Sequence, residues 1–482
     1  MTLNHRNETS ISRSALPTII SVFFFWGFVA ASNDILIPVF KQKLNLNQSE
    51  AQWVSMCFYV AYTVGSIIYY LISKYTGGDL FNRIGYRNGI AGGLVISALG
   101  TLLFYPAAEN ASFPLMLSGL FIVGLGFAFQ QTAANPLMIV IGDPKKGSQR
   151  LSLAGGVNNI GTTLGPLLVS FAIFGTFSAD KTSVLSIEGV KTPYLILGAA
   201  FIIVAVIFKL SSIPDKIDTK AIEKRSFDAG EDRKSVFQYP QLIMGMVGIF
   251  VYVGVEVSTA GNLPEYMRIH LGTGADQIAP YVSLFWASLM VGRWTSSVDI
   301  FKLSVAGRKI FRILVPYLAF GFFLAANMIA GHDIEPFYAY FFVIPVIILS
   351  DYFSRGNPVR QLLIFSLLGI TALFVGMTTE GLMSVYAFIS VGLFCSTLWP
   401  CIFTLAIAGL GKHTNEGSSM LIMMIMGGGI ISKIQGVLAD DDLLGIQWSY
   451  LVGVACFVYM AYYAIRVKGI LSKQGIEYGR IK

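Results

Sequence analysis

Long apolar runs separated by short polar breaks dominate the chain. In the first half they fall at 15–40, 51–75, 87–107, 113–141, 150–177 and 193–210. The second half holds eight more, at 241–267, 277–300, 310–330, 337–352, 361–379, 383–410, 418–438 and 448–467. A helix needs about 20 apolar residues to cross the hydrocarbon core of a bilayer. The pattern therefore predicts an all-α polytopic membrane protein with 14 transmembrane helices. Composition agrees: 54% of the 482 residues are hydrophobic and 13% are charged, where a soluble domain carries about a quarter. Mean hydropathy is +0.66. The polar start MTLNHRNETSISRS leads into a run too long for a signal peptide's apolar region.

Charge then orients the runs. The loops at 78–88 (GDLFNRIGYRN) and 142–150 (GDPKKGSQR) are basic, whereas 47–50 and 109–112 hold no Lys or Arg. A polar linker at 211–240 carries Lys216, Lys220, Lys224, Arg225, Arg233 and Lys234. In the second half the breaks at 331–336 (GHDIEP) and 440–442 are acidic, while 302–309, 355–360, 412–413 and the tail from 466 are basic. Because basic loops stay on the cytoplasmic side, both termini are expected there. The expected organisation is a cytoplasmic N-terminus (1–14), a first bundle (15–210), a linker (211–240), a second bundle (241–468) and a cytoplasmic tail (469–482). The net charge of +7 gathers in those loops and does not signal nucleic acid. Cys57, Cys395, Cys401 and Cys456 all lie in apolar runs without metal-type spacing and read as packing residues.

Candidate chemistry begins at 23–38, FFFWGFVAASNDILIP, where Asp34 stands in an apolar run. A charge near the bilayer midplane costs a few kcal/mol or more. Asp34 therefore faces a polar cavity or a partner, or else it caps the helix at headgroup level, roughly 28 Å along the run at ~1.5 Å per residue. Glu256, in YVGVEV at 252–257, poses the same question nearer mid-span.

These stretches, with QTAANP at 131–136, LWPCIFTLAIAGLG at 398–411 and GSSMLIMMIMGGGI at 417–430, resemble the fucose/glucose-galactose permease family of the major facilitator superfamily. GDLFNRIGYRNG also resembles that superfamily's loop between its second and third helices. The resemblance implies the major facilitator fold: two six-helix bundles around a central cavity that opens to either side in turn. Against twelve helices, residues 310–352 read as an inserted transmembrane hairpin or, alternatively, as two amphipathic surface helices.

Sugar recognition needs groups that donate and accept hydrogen bonds without the cost of a buried charge, a role suited to Asn and Gln. Gln131 and Asn135 lie four apart on one helical face. Asn158 and Asn159 sit among small residues in AGGVNNIGTTLGP, and Asn33 adjoins Asp34. These five are the candidate substrate contacts, with Trp399 as a face for the sugar ring. The alternative for each amide is interhelical bonding. The resemblance implies that Asn158 matches a cavity asparagine. It also exposes departures: Gln131 stands where the fucose pattern has glutamate, Gly155 where it has glutamine, and Glu256 where it has an uncharged residue. The resemblance implies that glucose/galactose members carry glutamine at the Gln131 position, so that departure leans towards them.

Asp34 and Glu256 are the candidate ion-coupling acids. A desolvated carboxylate can take a proton, and with nearby oxygens it can hold Na⁺, so the coupling ion stays open between H⁺ and Na⁺. Lys433 either snorkels to the surface or acts as an internal counter-charge. Arg293, Arg83 and Arg87 read as a cytoplasmic charge network. No G-x-x-x-x-G-K-[ST] loop, metal cluster or nucleophile–base constellation stands out, so neither enzyme activity nor a cofactor is expected. The expectation is a monomeric, multi-pass inner-membrane importer of a neutral monosaccharide of the glucose/galactose class, driven by cation symport. Alternatives are a fucose or N-acetylglucosamine permease, a facilitator or sugar-acid carrier using Lys433, and a sugar-sensing receptor on a transporter scaffold.

Overall fold

The computed structural model describes residues 15–43, 48–76, 79–141, 143–174, 191–211, 213, 233–273, 275–301, 303–440 and 442–478. Secondary structure among them is entirely helical. The long helices of the first half are α1 (Ala15–Lys43), α2 (Gln48–Tyr75), α3 (Tyr86–Leu102), α4 (Phe113–Val140), α5 (Gly147–Phe174) and α6 (Lys191–Leu210). The second half has α7 (Pro240–Leu271), α8 (Ala275–Ser297), α9 (Val305–Ile329), α10 (Ile344–Ser354), α11 (Pro358–Thr378), α12 (Gly381–Cys395, resuming as Leu398–Ile407), α13 (Thr414–Met423, resuming as Gly427–Leu438) and α14 (Leu451–Ser472).

Polar residues punctuate these helices as capping chemistry requires. Asn357 accepts from the Val359 and Arg360 amides at the start of α11 (2.9 and 3.2 Å), and Ser304 accepts from Gly307 at the start of α9 (3.1 Å), each meeting otherwise orphaned donors. The α4 C-terminus is closed from outside: buried Arg150 donates to the carbonyls of Met138 (2.7 Å), Ile139 and Asp143 (2.8 Å).

Among the described residues ten helices are long and apolar enough to cross a membrane. The apolar stretches Leu16–Ala31 and Tyr194–Leu210 are shorter, and α5 and α8 fall outside the ten. For α8 the physical reason is compositional: Arg293, Thr295 and Ser296 lie on it, and it trades apolar surface for polar contacts inside the protein.

The packing repeats. In the first half α1 lies on α5, α2 on α4, and α3 on both α4 and α6. In the second half α7 lies on α13, α8 on α12, and α11 on both α12 and α14. Helices α9 and α10 stand outside this pairing, with α9 against α8. The α9–α10 pair is held by a charge cluster: Arg312 bridges Asp299 (2.7 Å) and Asp351 (3.2 Å), and Gln361 of α11 donates to Asp351 (3.3 Å) and Ser296 (3.0 Å).

The halves meet where α5 lies on α8 and α2 on α13, and at the end bearing the basic loops they are tied together. Asp79 accepts from the Asn415 amide (2.5 Å), from the Tyr69 hydroxyl (2.9 Å) and from the Phe81 amide (2.7 Å). Ser419 donates to the Ser66 carbonyl (2.9 Å), Gln149 to the Gly356 carbonyl (2.8 Å) and Lys146 to the Asp299 carbonyl (3.2 Å).

Candidate functional site

A cavity lies between the halves, walled by Trp26, Gln131, Asn135, Gly155 and Asn158 on one side and by Tyr252, Glu256, Arg293, Trp399 and Ile425 on the other. Its water-accessible volume is about 180 Å³, space for roughly a dozen water-sized spheres and comparable to one monosaccharide.

Each wall residue is placed by its helix. The α4 residues differ in role. Gln130 is fully buried and structural, accepting from the Trp26 indole N–H (3.0 Å) and donating to Ser97 (3.1 Å). One residue on, Gln131 faces the cavity and donates to the Tyr62 hydroxyl (2.9 Å). Asn135 is also buried, and among the described residues its amide nitrogen has no hydrogen-bond partner. Such a buried donor costs about 1–3 kcal/mol unless something pairs with it, and a ligand hydroxyl in the cavity can do so. On α5, Asn158 donates to the Phe23 carbonyl of α1 (2.9 Å), so its amide serves interhelical bonding while the residue lines the cavity.

On the facing wall, the Trp399 ring lies 6.0 Å from the Tyr252 ring, tilted by 57°, and offers an aromatic face. Glu256 is one helical turn beyond Tyr252, within reach of its hydroxyl and in the field of Arg293. The guanidinium of Arg293 is the organising cation. Its Nε donates to the Ser396 carbonyl (3.0 Å), Nη1 to the Asn159 Oδ1 (2.9 Å) and Gly155 carbonyl (3.2 Å), and Nη2 to the Tyr252 hydroxyl (3.4 Å). Ser396 can accept because Pro400, four residues on, has no N–H to give its carbonyl a helical partner. Gly155 admits the guanidinium because it has no side chain: a Cβ there would stand 3.1 Å from Arg293 Cδ and 3.3 Å from Nε and Nη1.

Gln131, Asn135, Asn158, Trp399 and Glu256, picked out separately in the sequence, are thus brought together on one cavity. Asn159 is adjacent, reaching it through Arg293. The side chains of Asn33 and Asp34 lie outside the described residues. Lys433 is exposed on α13 and does not line the cavity; the cation set beside Glu256 is Arg293. That corrects the assignment of Arg293 to a cytoplasmic charge network. The signal that would have found it is the one applied to Asp34, a charge inside an otherwise apolar run.

Residues 18–348 match the family described as Major Facilitator Superfamily. The chain is 32% identical over 465 residues to a glucose/galactose transporter of Brucella abortus, covering 95% of this chain and 96% of that one. It is 27% identical over 463 residues to the L-fucose-proton symporter of Escherichia coli, covering 92% and 91%. Among solved structures, a crystal structure of the major facilitator transporter FucP in the outward conformation superposes with a TM-score of 0.69 at 24% identity, covering 94% of this chain and 98% of that one.

Proposed function

The chain belongs to the Major Facilitator Superfamily, and we propose that it imports a neutral monosaccharide of the glucose/galactose class by cation symport through alternating access. The observation that carries this reading is the convergence of an unpartnered buried amide donor on Asn135, a carboxylate on Glu256 and an aromatic face on Trp399 around one sugar-sized cavity between the halves. The similarity to the Brucella glucose/galactose transporter supports the substrate class, and the E. coli L-fucose-proton symporter supports cation coupling. Gln131, Asn135, Asn158 and Trp399 are the proposed contacts, with Asn33 and Asn159 as further ones. Glu256 and Asp34 are the proposed H⁺ or Na⁺ sites.

The same reading gives 14 spans in an inner membrane, both termini cytoplasmic, and bundles at 15–210 and 241–468 joined by the 211–240 linker. It makes α9 and α10 an inserted peripheral hairpin. Support comes from the repeated packing: removing that pair leaves six helices in each half with matching partners.

The test is uptake of labelled galactose into proteoliposomes under an inward Na⁺ gradient, an inward H⁺ gradient or neither, for the wild type, Asp34→Asn and Glu256→Gln. One gradient should drive accumulation, and a coupling-site variant should lose accumulation while retaining exchange. Equal equilibrative uptake under all conditions would overturn symport.

A further inference from the structure

The contacts of Arg293 reach beyond the sugar reading they rest on. Arg293 belongs to α8 in the second half, yet both of its Nη1 donors cross to α5 of the first, at Gly155 and Asn159. Its Nε is anchored within its own half at Ser396, so the side chain is held at one end while the other spans the interface. A guanidinium has five N–H donors. Four are used as above, and among the described residues the second N–H of Nη2 has no partner in a group that lines the cavity. The two Nη1 acceptors are neutral oxygens, and a sugar offers neutral oxygens of the same kind on adjacent carbons. The fork geometry of Arg suits such a pair, whereas the single point charge of Lys does not.

We propose that Arg293 is a specificity-determining residue: two adjacent substrate hydroxyls bind across its fork, one taking over an Nη1 bond now made to Gly155 or Asn159 and the other accepting from the unpartnered Nη2 N–H. Recognition and release are then one event. A substrate with the right hydroxyl pair replaces one of the two bonds between α5 and α8, and the seam they hold is loosened. Gly155 is the second component, since a Cβ there would stand 3.1–3.3 Å from the Arg293 side chain and press on it.

Two measurements test it. The first is binding of galactose and the monodeoxygalactose series, followed by fluorescence of the cavity tryptophans, in wild type, Arg293→Lys and Gly155→Ala. In the wild type, removing either member of one adjacent hydroxyl pair should weaken binding roughly tenfold, the scale of one charge-assisted bond, and Arg293→Lys should abolish that dependence. Penalties that are the same in both proteins overturn the proposal and leave sugar transport standing. Absence of binding by every sugar overturns the transport reading and the proposal with it.

The second reads the seam directly. Ser152 is buried on α5, one turn before Gly155 and Gly156. In a variant lacking the four native cysteines, the thiol introduced by Ser152→Cys should be alkylated several-fold faster with galactose present. With Arg293→Lys added, it should react fast without sugar. A labelling rate indifferent to both would show that Arg293 does not hold the seam.

Discussion

The close approach of α1 and α5 gives the sharpest stability prediction. A Cβ on Gly27 would stand 2.0 Å from the Asn158 carbonyl oxygen, and one on Gly161 would stand 2.2 Å from the Phe24 carbonyl oxygen. Both obstacles are backbone, so no rotamer change relieves them. Gly27→Ala must part the helices by roughly 1 Å, and overpacking of this kind costs about 1–3 kcal/mol or somewhat more. The same displacement stretches the Asn158–Phe23 hydrogen bond, now 2.9 Å, with a further loss of about 1 kcal/mol. A loss of about 2–4 kcal/mol follows for Gly27→Ala, and a similar one for Gly161→Ala.

Gly92→Ala is the internal control. A Cβ there meets nothing within 4 Å, and Ala is favoured over Gly inside a helix by about 0.5–1 kcal/mol. The assay is thermal denaturation of the detergent-purified proteins by fluorescence size-exclusion chromatography. Gly27→Ala should melt well below wild type, and Gly92→Ala at or above it. Equal melting of Gly27→Ala and wild type would refute the claim that small residues set the α1–α5 distance. Because Trp26 and Asn158 line the cavity from these two helices, Gly27→Ala should also weaken galactose binding in whatever fraction folds.

Asn135→Leu should leave the empty protein as stable as wild type or more so, because it removes an unpartnered buried donor, yet weaken sugar binding tenfold or more; melting and binding titrations on one preparation decide it. Burial pushes the Asp79 carboxyl above the ordinary value, against the lowering effect of hydrogen bonds from Asn415, Tyr69 and the Phe81 amide. The closed seam therefore holds that proton more tightly than an opened, hydrated one. Acid should favour closure, and closure should weaken as pH rises from the ordinary carboxyl range through the raised value. Alkylation of a cysteine replacing Ser419 should follow that dependence, and Asp79→Asn should flatten it. Arg312→Met strands Asp351, which is buried, at a cost of about 3–5 kcal/mol. Adding Asp351→Leu should restore most of the melting temperature.

What could be read from the sequence was whatever one helix states about itself. Runs of apolar residues announced the class, loop charges proposed an orientation, and the four-residue spacing of Gln131 and Asn135 put both on the cavity wall. Glu256 was legible for the same reason, as a charge without local company. The α5 and α8 helices show the limit of that reading. Each reads as one more apolar run, and nothing nearby in sequence tells that its polar groups are satisfied across the interface, by partners far away in the chain. Arg293 pairs with residues 134 and 138 positions distant.

Nor does any local pattern around Arg293 say where its guanidinium goes. Its position is decided by a missing amide hydrogen on Pro400 and a missing side chain on Gly155, two absences on two other helices. Each looks unremarkable alone: a helix-kinking proline, and one glycine among several on a membrane helix. Only when α5, α8 and α12 come together do they form the socket that holds the Arg293 guanidinium. The same dependence makes the site sensitive to changes that alter no polar group. A Pro400→Ala variant would return the Ser396 carbonyl to its helix, remove the Nε anchor, and so disturb Arg293 from a residue that itself offers no hydrogen-bond donor.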